Sequence, residues 1–151
     1  EVKKVSSKPL IVKLSPNVTD VASFAVRAEE IGADAVSAIN TLLGMKIDIR
    51  TRKPHFTNKV AGLSGPAVRP VAVRIVYQIF QKVKIPIVGL GGISNIDDVI
   101  EFIMAGATAV SIGTASMVEP SVSGKLVSQM EEYMKKEGIN SLDEIKGAAH
   151  L

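Results

Sequence analysis

The sequence predicts an α/β fold in which parallel strands alternate with helices. Three observations point to it. Apolar, β-branched runs at residues 10–14, 35–39, 85–90 and 109–112 are each followed by a segment that reads as a helix, the second of them only after a long insertion. The hexapeptide Gly32-Ala33-Asp34-Ala35-Val36-Ser37 recurs as Gly106-Ala107-Thr108-Ala109-Val110-Ser111, so one helix stop and strand start is used twice. The chain has 151 residues, whereas a complete (β/α)8 TIM barrel takes about 250. Four βα units fill it, which amounts to half of such a barrel.

In chain order, residues 10–14 form a buried strand ending in the turn Ser15-Pro16-Asn17. Thr19 or Asp20 caps a helix with Val21, Phe24, Ala25, Ala28 and Ile31 on one face, stopped by Gly32. The strand at 35–39 ends at Asn40-Thr41. Residues 42–65, charged and broken by Pro54, are too long for a plain connector and predict an active-site loop or small hairpin. Pro66 suits the first turn of a helix to about residue 83 that buries Val68, Val71, Ala72, Ile75 and Ile79. The strand at 85–90 is entered through Pro86. Ser94 or Asn95 caps a helix through Met104, with Asp97 and Asp98 in its first turn and Gly106 beyond its end. After the strand at 109–112, Pro120 and Ser121 open a helix lined by Val122, Leu126, Met130, Tyr133 and Met134, which Gly138 ends. Ser141-Leu142-Asp143-Glu144 is a capping box for a short last helix.

Composition narrows the function. With 46% hydrophobic and 22% charged residues the chain forms a core, one domain over 1–151. No apolar run approaches the roughly 20 residues of a membrane span. The absence of cysteine excludes a disulfide scaffold, cysteine-held zinc, an iron–sulfur cluster on this chain and a thiol nucleophile. A net charge of +3 without a long basic, aromatic-studded stretch favours small anions over nucleic acid. The absence of cysteine also predicts a reducing compartment; the polar opening carries no secretory pattern, and with no Met at its start further sequence is expected upstream of Glu1.

In parallel α/β sheets ligands bind at the strands' carboxyl ends, where every unusual residue here falls. Strand alternation aims Lys13 at the barrel axis, where it either holds an anionic ring or acid or snorkels to solvent. Asn40 and Thr41 suit a planar polar ligand, or form an ordinary turn. Gly89-Leu90-Gly91-Gly92-Ile93 admits close backbone approach, and the helix start at residues 94–97 aims N–H groups at a ligand. With Gly113-Thr114-Ala115 after the next strand, the pair favours a phosphate cradle. Ser64-Gly65 either adds donors or caps a helix. Arg50, Arg52, Lys53 and Lys59, around His55 and Phe56, read as a solvated loop, and His150 as incidental.

Taken together, Ile11-Val12-Lys13-Leu14-Ser15-Pro16-Asn17, Ile39-Asn40-Thr41, Gly62-Leu63-Ser64-Gly65-Pro66-Ala67, Gly89-Leu90-Gly91-Gly92-Ile93 and Gly113-Thr114-Ala115 resemble the carboxy-terminal half of the class 1 dihydroorotate dehydrogenases, most nearly the 1B catalytic subunit. The resemblance implies FMN-dependent oxidation of dihydroorotate to orotate in the cytoplasm. It implies that Lys13 contacts the flavin's pyrimidine edge, that Ser64, Gly65, Gly91, Gly92, Gly113 and Thr114 hold its phosphate and ribityl chain, and that Asn40 and Thr41 bind substrate. It implies a homodimer without metal, and a partner electron-transfer subunit carrying NAD, FAD and iron–sulfur chemistry. The family's catalytic base is a cysteine in the first half of the barrel, and nothing here matches that half, so this chain alone is expected to be inactive. Rival readings are the flavin domain of dihydropyrimidine dehydrogenase, a phosphosugar barrel, which Lys13 and Asn40-Thr41 disfavour, and a non-catalytic phosphate-binding half barrel.

Overall fold

In the computed structural model, which describes residues 1–150, one helical turn, α1 (Val2–Val5), precedes strand β1 (Ile11–Leu14). There follow α2 (Val21–Glu30), β2 (Ala35–Ala38), β3 (Leu42–Met45), β4 (Ile47–Asp48), β5 (Lys53–Pro54) and β6 (Val60–Leu63). A 3-10 turn (Pro66–Val68) leads into α3 (Arg69–Phe80), then β7 (Ile87–Leu90), α4 (Ile96–Met104), β8 (Ala109–Ser111), α5 (Thr114–Val118), α6 (Val122–Glu137) and a last 3-10 turn (Leu142–Glu144). β1, β2, β7 and β8 make a four-stranded parallel sheet in that spatial order. Residues 42–63 form two antiparallel ladders, β3 with β6 and β4 with β5, which settles the long segment as a hairpin arm.

The sheet's register decides which residues share a face. Lys13 aligns with Ser37, Ser37 with Val88 and Val88 with Ala109, while Leu14, Ala38 and Gly89 align on the opposite face. The second face is the core side, with Leu14, Val36, Ala38 and Ile87 buried together with Ala25 of α2, Ala72, Ile75 and Ile79 of α3, and Phe102 of α4. Gly89 is required there, because a Cβ on it would lie 2.5 Å from the Phe102 ring. On the first face Ile11, Lys13, Ala109 and Ser111 are exposed, and β1 and β8 each pair on one side only.

The repeated hexapeptide is repeated geometry. At the end of α2 the N–H of Gly32 donates to Glu29 O and that of Ala33 to Ala28 O. At the end of α4 the N–H of Gly106 donates to Ile103 O and that of Ala107 to Phe102 O. Both are Schellman stops with glycine at positive φ, +83° for Gly32 and +113° for Gly106. The copies part at Asp34, whose carboxylate accepts from the Leu10 N–H and pairs with Lys3, tying α1 to the entrance of β1.

Several expectations are corrected. Phe24 and Ile31 are 55% and 54% exposed, because α2 packs through the small residues Ala22, Ala25 and Ala28 and leaves its other flank to solvent among the described residues. The helix predicted from Pro66 is divided: Pro70 has no N–H to give the Pro66 carbonyl, so a 3-10 turn precedes α3. The short helices α1 and α5 were not anticipated. His150 is not incidental. Its ring stacks on Tyr77 with centroids 3.8 Å apart and Nε2 lies 3.0 Å from Ala105 O, while Gly147 and Ala149 donate to Ile103 and Met104 carbonyls. These contacts fasten the carboxyl-terminal strap to the end of α4.

Phe102→Ala is expected to cost about 3–5 kcal/mol, against a few tenths for the exposed Phe24→Ala, measured by urea denaturation. The Leu10 N–H, then the Lys3 ammonium, hold the Asp34 carboxyl below its ordinary value. Its contribution is complete above the unfolded-state value and is lost as pH falls through the lower folded one. Wild type should therefore lose thermal stability below about pH 4 more steeply than Asp34→Asn.

Candidate functional site

The carboxyl ends of the four parallel strands open on one rim, and the residues singled out from sequence meet there. Lys13, Asn40, Thr41, Ser64, Gly65, Gly91, Gly92, Gly113 and Thr114 all line one cavity of about 220 Å³. Gly65, Gly92, Gly113 and Thr114 also line an adjoining cavity of about 230 Å³, bounded on its far side by Val118, Glu119 and Val122.

Each wall follows from local structure. Lys13 sits on the open face of β1 and makes no ion pair or hydrogen bond among the described residues, so its ammonium is unneutralised. Asn40 extends the sheet, its N–H donating to Leu14 O at 2.9 Å. Its Oδ1 accepts from the Thr41 N–H, and the side-chain amide's donors have no partner among the described residues. Asn17 braces this wall by donating to Thr41 O and accepting from the Leu43 N–H, both at 2.9 Å. Sequence reading placed Asn17 only in a turn; the bracing links residues 24 and 26 positions apart and had no local signal.

The glycines bring three loops together. Gly91 and Gly92 have φ of +132° and +79°. A Cβ on Gly92 would lie 2.7 Å from Gly65 O and 2.9 Å from Arg69 Cβ, so the loop after β7 rests directly on the loop before α3. The Thr114 hydroxyl donates to Ser64 Oγ at 2.8 Å and joins the loop after β8 to the same place. Gly113 meets nothing within 4 Å of where a Cβ would stand and leaves the cavity open. The backbone N–H groups of Gly92, Ile93, Gly113 and Thr114 have no acceptor among the described residues. Unpaired amides lining one cavity can serve as a cradle for an anion.

One expectation about this cradle is corrected. The amides of Ser94 and Asn95 donate to Asp98 Oδ2 at 2.8 and 3.2 Å, so of the donors expected at residues 94–97 these two are taken, and unpaired amides that line the cavity lie two residues earlier, at Gly92 and Ile93. Glu119, on the far wall, has its carboxylate held below the usual range by the Lys125 ammonium and the Ser121 hydroxyl. Met117 lines the first cavity and Val118 the second, each more than four-fifths exposed at 86% and 83%, and neither was anticipated. The basic residues Arg50, Arg52 and Lys53 lie on the β4–β5 arm and Lys59 just before β6, outside both cavities and without ion pairs among the described residues. No group of three or more His, Asp or Glu able to hold a metal occurs among the described residues, and no helix is long and apolar enough to cross a membrane.

The open end of this site suits a flat ring with a polar edge, and the cradle suits a phosphate. Residues 1–134 match the family model described as dihydroorotate dehydrogenase. The chain is 55% identical over 150 residues to the dihydroorotate dehydrogenase B (NAD(+)) catalytic subunit of Desulforamulus reducens, covering 99% of this chain and 49% of that protein. It is 55% identical over 151 residues to the subunit of the same name from Brachyspira hyodysenteriae, covering 99% and 50%. Identity to that of Caldicellulosiruptor saccharolyticus is 53% over 150 residues, with 99% and 50% covered. The chain thus spans about half the length of the curated relatives it matches. The match over nearly all of its residues, on a sheet of four βα units, shows that the chain belongs to the dihydroorotate dehydrogenase family and forms part of its (β/α)8 barrel.

Proposed function

We propose that this chain is the carboxy-terminal half of an FMN-dependent dihydroorotate dehydrogenase, supplying the phosphate cradle and part of the substrate site. The observation that carries this reading is the convergence of Lys13, Asn40-Thr41, Ser64-Gly65, Gly91-Gly92 and Gly113-Thr114 on one cavity from five separate segments. The residues fit the cofactor: unpaired amides at one end match a phosphate, and an unneutralised ammonium at the other matches a ring that gains negative charge on reduction. Relatives at 51–55% identity, all named for dihydroorotate oxidation, favour this substrate over that of dihydropyrimidine dehydrogenase.

Bound FMN supplies the hydride acceptor in the oxidation of dihydroorotate to orotate. The chain's own residues bind and orient. The Gly92, Ile93, Gly113 and Thr114 amides take the phosphate, and the Ser64 and Thr114 hydroxyls close the cradle between them. Lys13 favours negative charge at the pyrimidine edge. The free amide donors of Asn40 and the Thr41 hydroxyl hold the substrate's carbonyl and carboxylate oxygens, with Asn17 fixing the Thr41 backbone. The chain has no cysteine. Proton abstraction falls to a residue on the other half of the barrel, which also covers the exposed face around Ile11 and Ala109. Electrons leave through an NAD-linked partner subunit.

The test is to titrate the chain with FMN, following flavin absorption, and to assay orotate formation with and without the amino-terminal half of a relative's barrel. The chain alone is expected to make no orotate, and the reconstituted pair to make it. Lys13→Ala should lower turnover of the pair by roughly 10²-fold, and Gly91→Val should abolish FMN binding, since its Cβ would lie 2.9 Å from Ala72 Cβ at positive φ. Orotate formation by the chain alone, or no flavin binding by the pair, would overturn the reading.

A further inference from the structure

Behind the cradle, and lining neither cavity, lies an ionic cluster. Asp98 is 3% exposed. Its Oδ2 accepts from the Ser94 N–H at 2.8 Å, the Ser94 hydroxyl at 2.9 Å and the Asn95 N–H at 3.2 Å, and its Oδ1 pairs with the Arg69 guanidinium. Arg69 Nε also lies 3.3 Å from Glu101 Oε2. A capping box needs only the exchange between Asn95 and Asp98. The additional bonds do something else. Arg69 is the first residue of α3 and follows the Ser64-Gly65 loop, whereas Asp98 stands in the first turn of α4 behind Gly91-Gly92. The pair therefore bolts together two of the three loops that form the cradle, at the point where Gly92 rests on Gly65 and Arg69.

We infer that the Arg69–Asp98 pair is a positioning device for phosphate recognition. Asp98 draws the Ser94 and Asn95 amides to itself, which fixes the direction of the preceding peptides and leaves the Gly92 and Ile93 amides aimed at the anion. Arg69 holds the spacing of the two loops and neutralises a buried carboxylate that would otherwise repel a phosphate placed nearby. Neither side chain touches the ligand. This inference rests on the proposal that the cradle takes the phosphate of a flavin nucleotide.

The test compares FMN with riboflavin, which lacks only the phosphate, in wild type, Asp98→Asn, Arg69→Met and Arg69→Lys, each combined with the amino-terminal half of a relative's barrel and checked for folding by circular dichroism. Both Asp98→Asn and Arg69→Met should weaken FMN binding on the order of tenfold, the worth of one charged hydrogen bond, with riboflavin affinity unchanged. Arg69→Lys, which keeps the charge, should recover part of the loss. Hydrogen exchange, which needs no flavin, should show faster exchange at Ser94 and Asn95 in Asp98→Asn and unchanged core strands. If wild type prefers FMN and the variants keep that preference, the positioning role is wrong while the functional proposal stands. If wild type shows no preference for FMN, both fall. Equal loss of both flavins, or unchanged exchange at Ser94 and Asn95, marks the pair as no more than a structural tie and overturns the inference.

Discussion

Parallel pairing of β1, β2, β7 and β8 constrains everything else. A parallel strand cannot return through a tight turn, so each crossover carries a helix, and all carboxyl ends open on one rim. The core is then fixed on the helix-covered face, where Phe102 packs against Gly89. The cavity is fixed where the loops leave the strands. Fold and site are in this sense consequences of one hydrogen-bonding pattern.

Charge is treated in opposite ways on the two sides of the rim. Asp98 is buried and fully partnered, by Arg69 and by backbone amides, so it stiffens the loops without offering a free charge to the cavity. Lys13 is exposed on the open face with no partner among the described residues, so its field acts on whatever occupies the site. Glu119, on the far wall, has its carboxylate occupied by Lys125 and Ser121. Among the described residues, the rim therefore presents unpaired amides and one unneutralised cation, a pattern complementary to an anion.

The open face gives physical meaning to the chain's half-length match. Ile11 is 54% exposed on it, Met117 and Val118 stand out at the rim, and β1 and β8 each leave one ladder unformed. Unpaired edges and uncovered apolar side chains leave such a sheet able to take further strands and a covering layer. The relatives are twice as long, which agrees with that geometry.

Local signals carried much of this in the sequence. Glycine at the Schellman stops, Asp20 and Asn95 as caps, period-2 alternation around Lys13 and the repeated hexapeptide identified the βα units and the rim residues, because each depends on neighbours within a few positions. The same locality explains the misses. The narrow alanine stripe of α2 leaves Phe24 outside, and the His150 stack on Tyr77 joins residues far apart in sequence. The Arg69–Asp98 bridge spans 29 positions. Which amides stay free for a ligand is set by which are already taken, and Asp98 takes two of those that a helix start was expected to offer. The sequence by itself determined the order of strands, helices and rim residues, since short-range sterics and hydrogen bonding govern them. Only the tertiary structure decided which of those groups are paired and which remain available, because that depends on contacts between segments that no local pattern encodes.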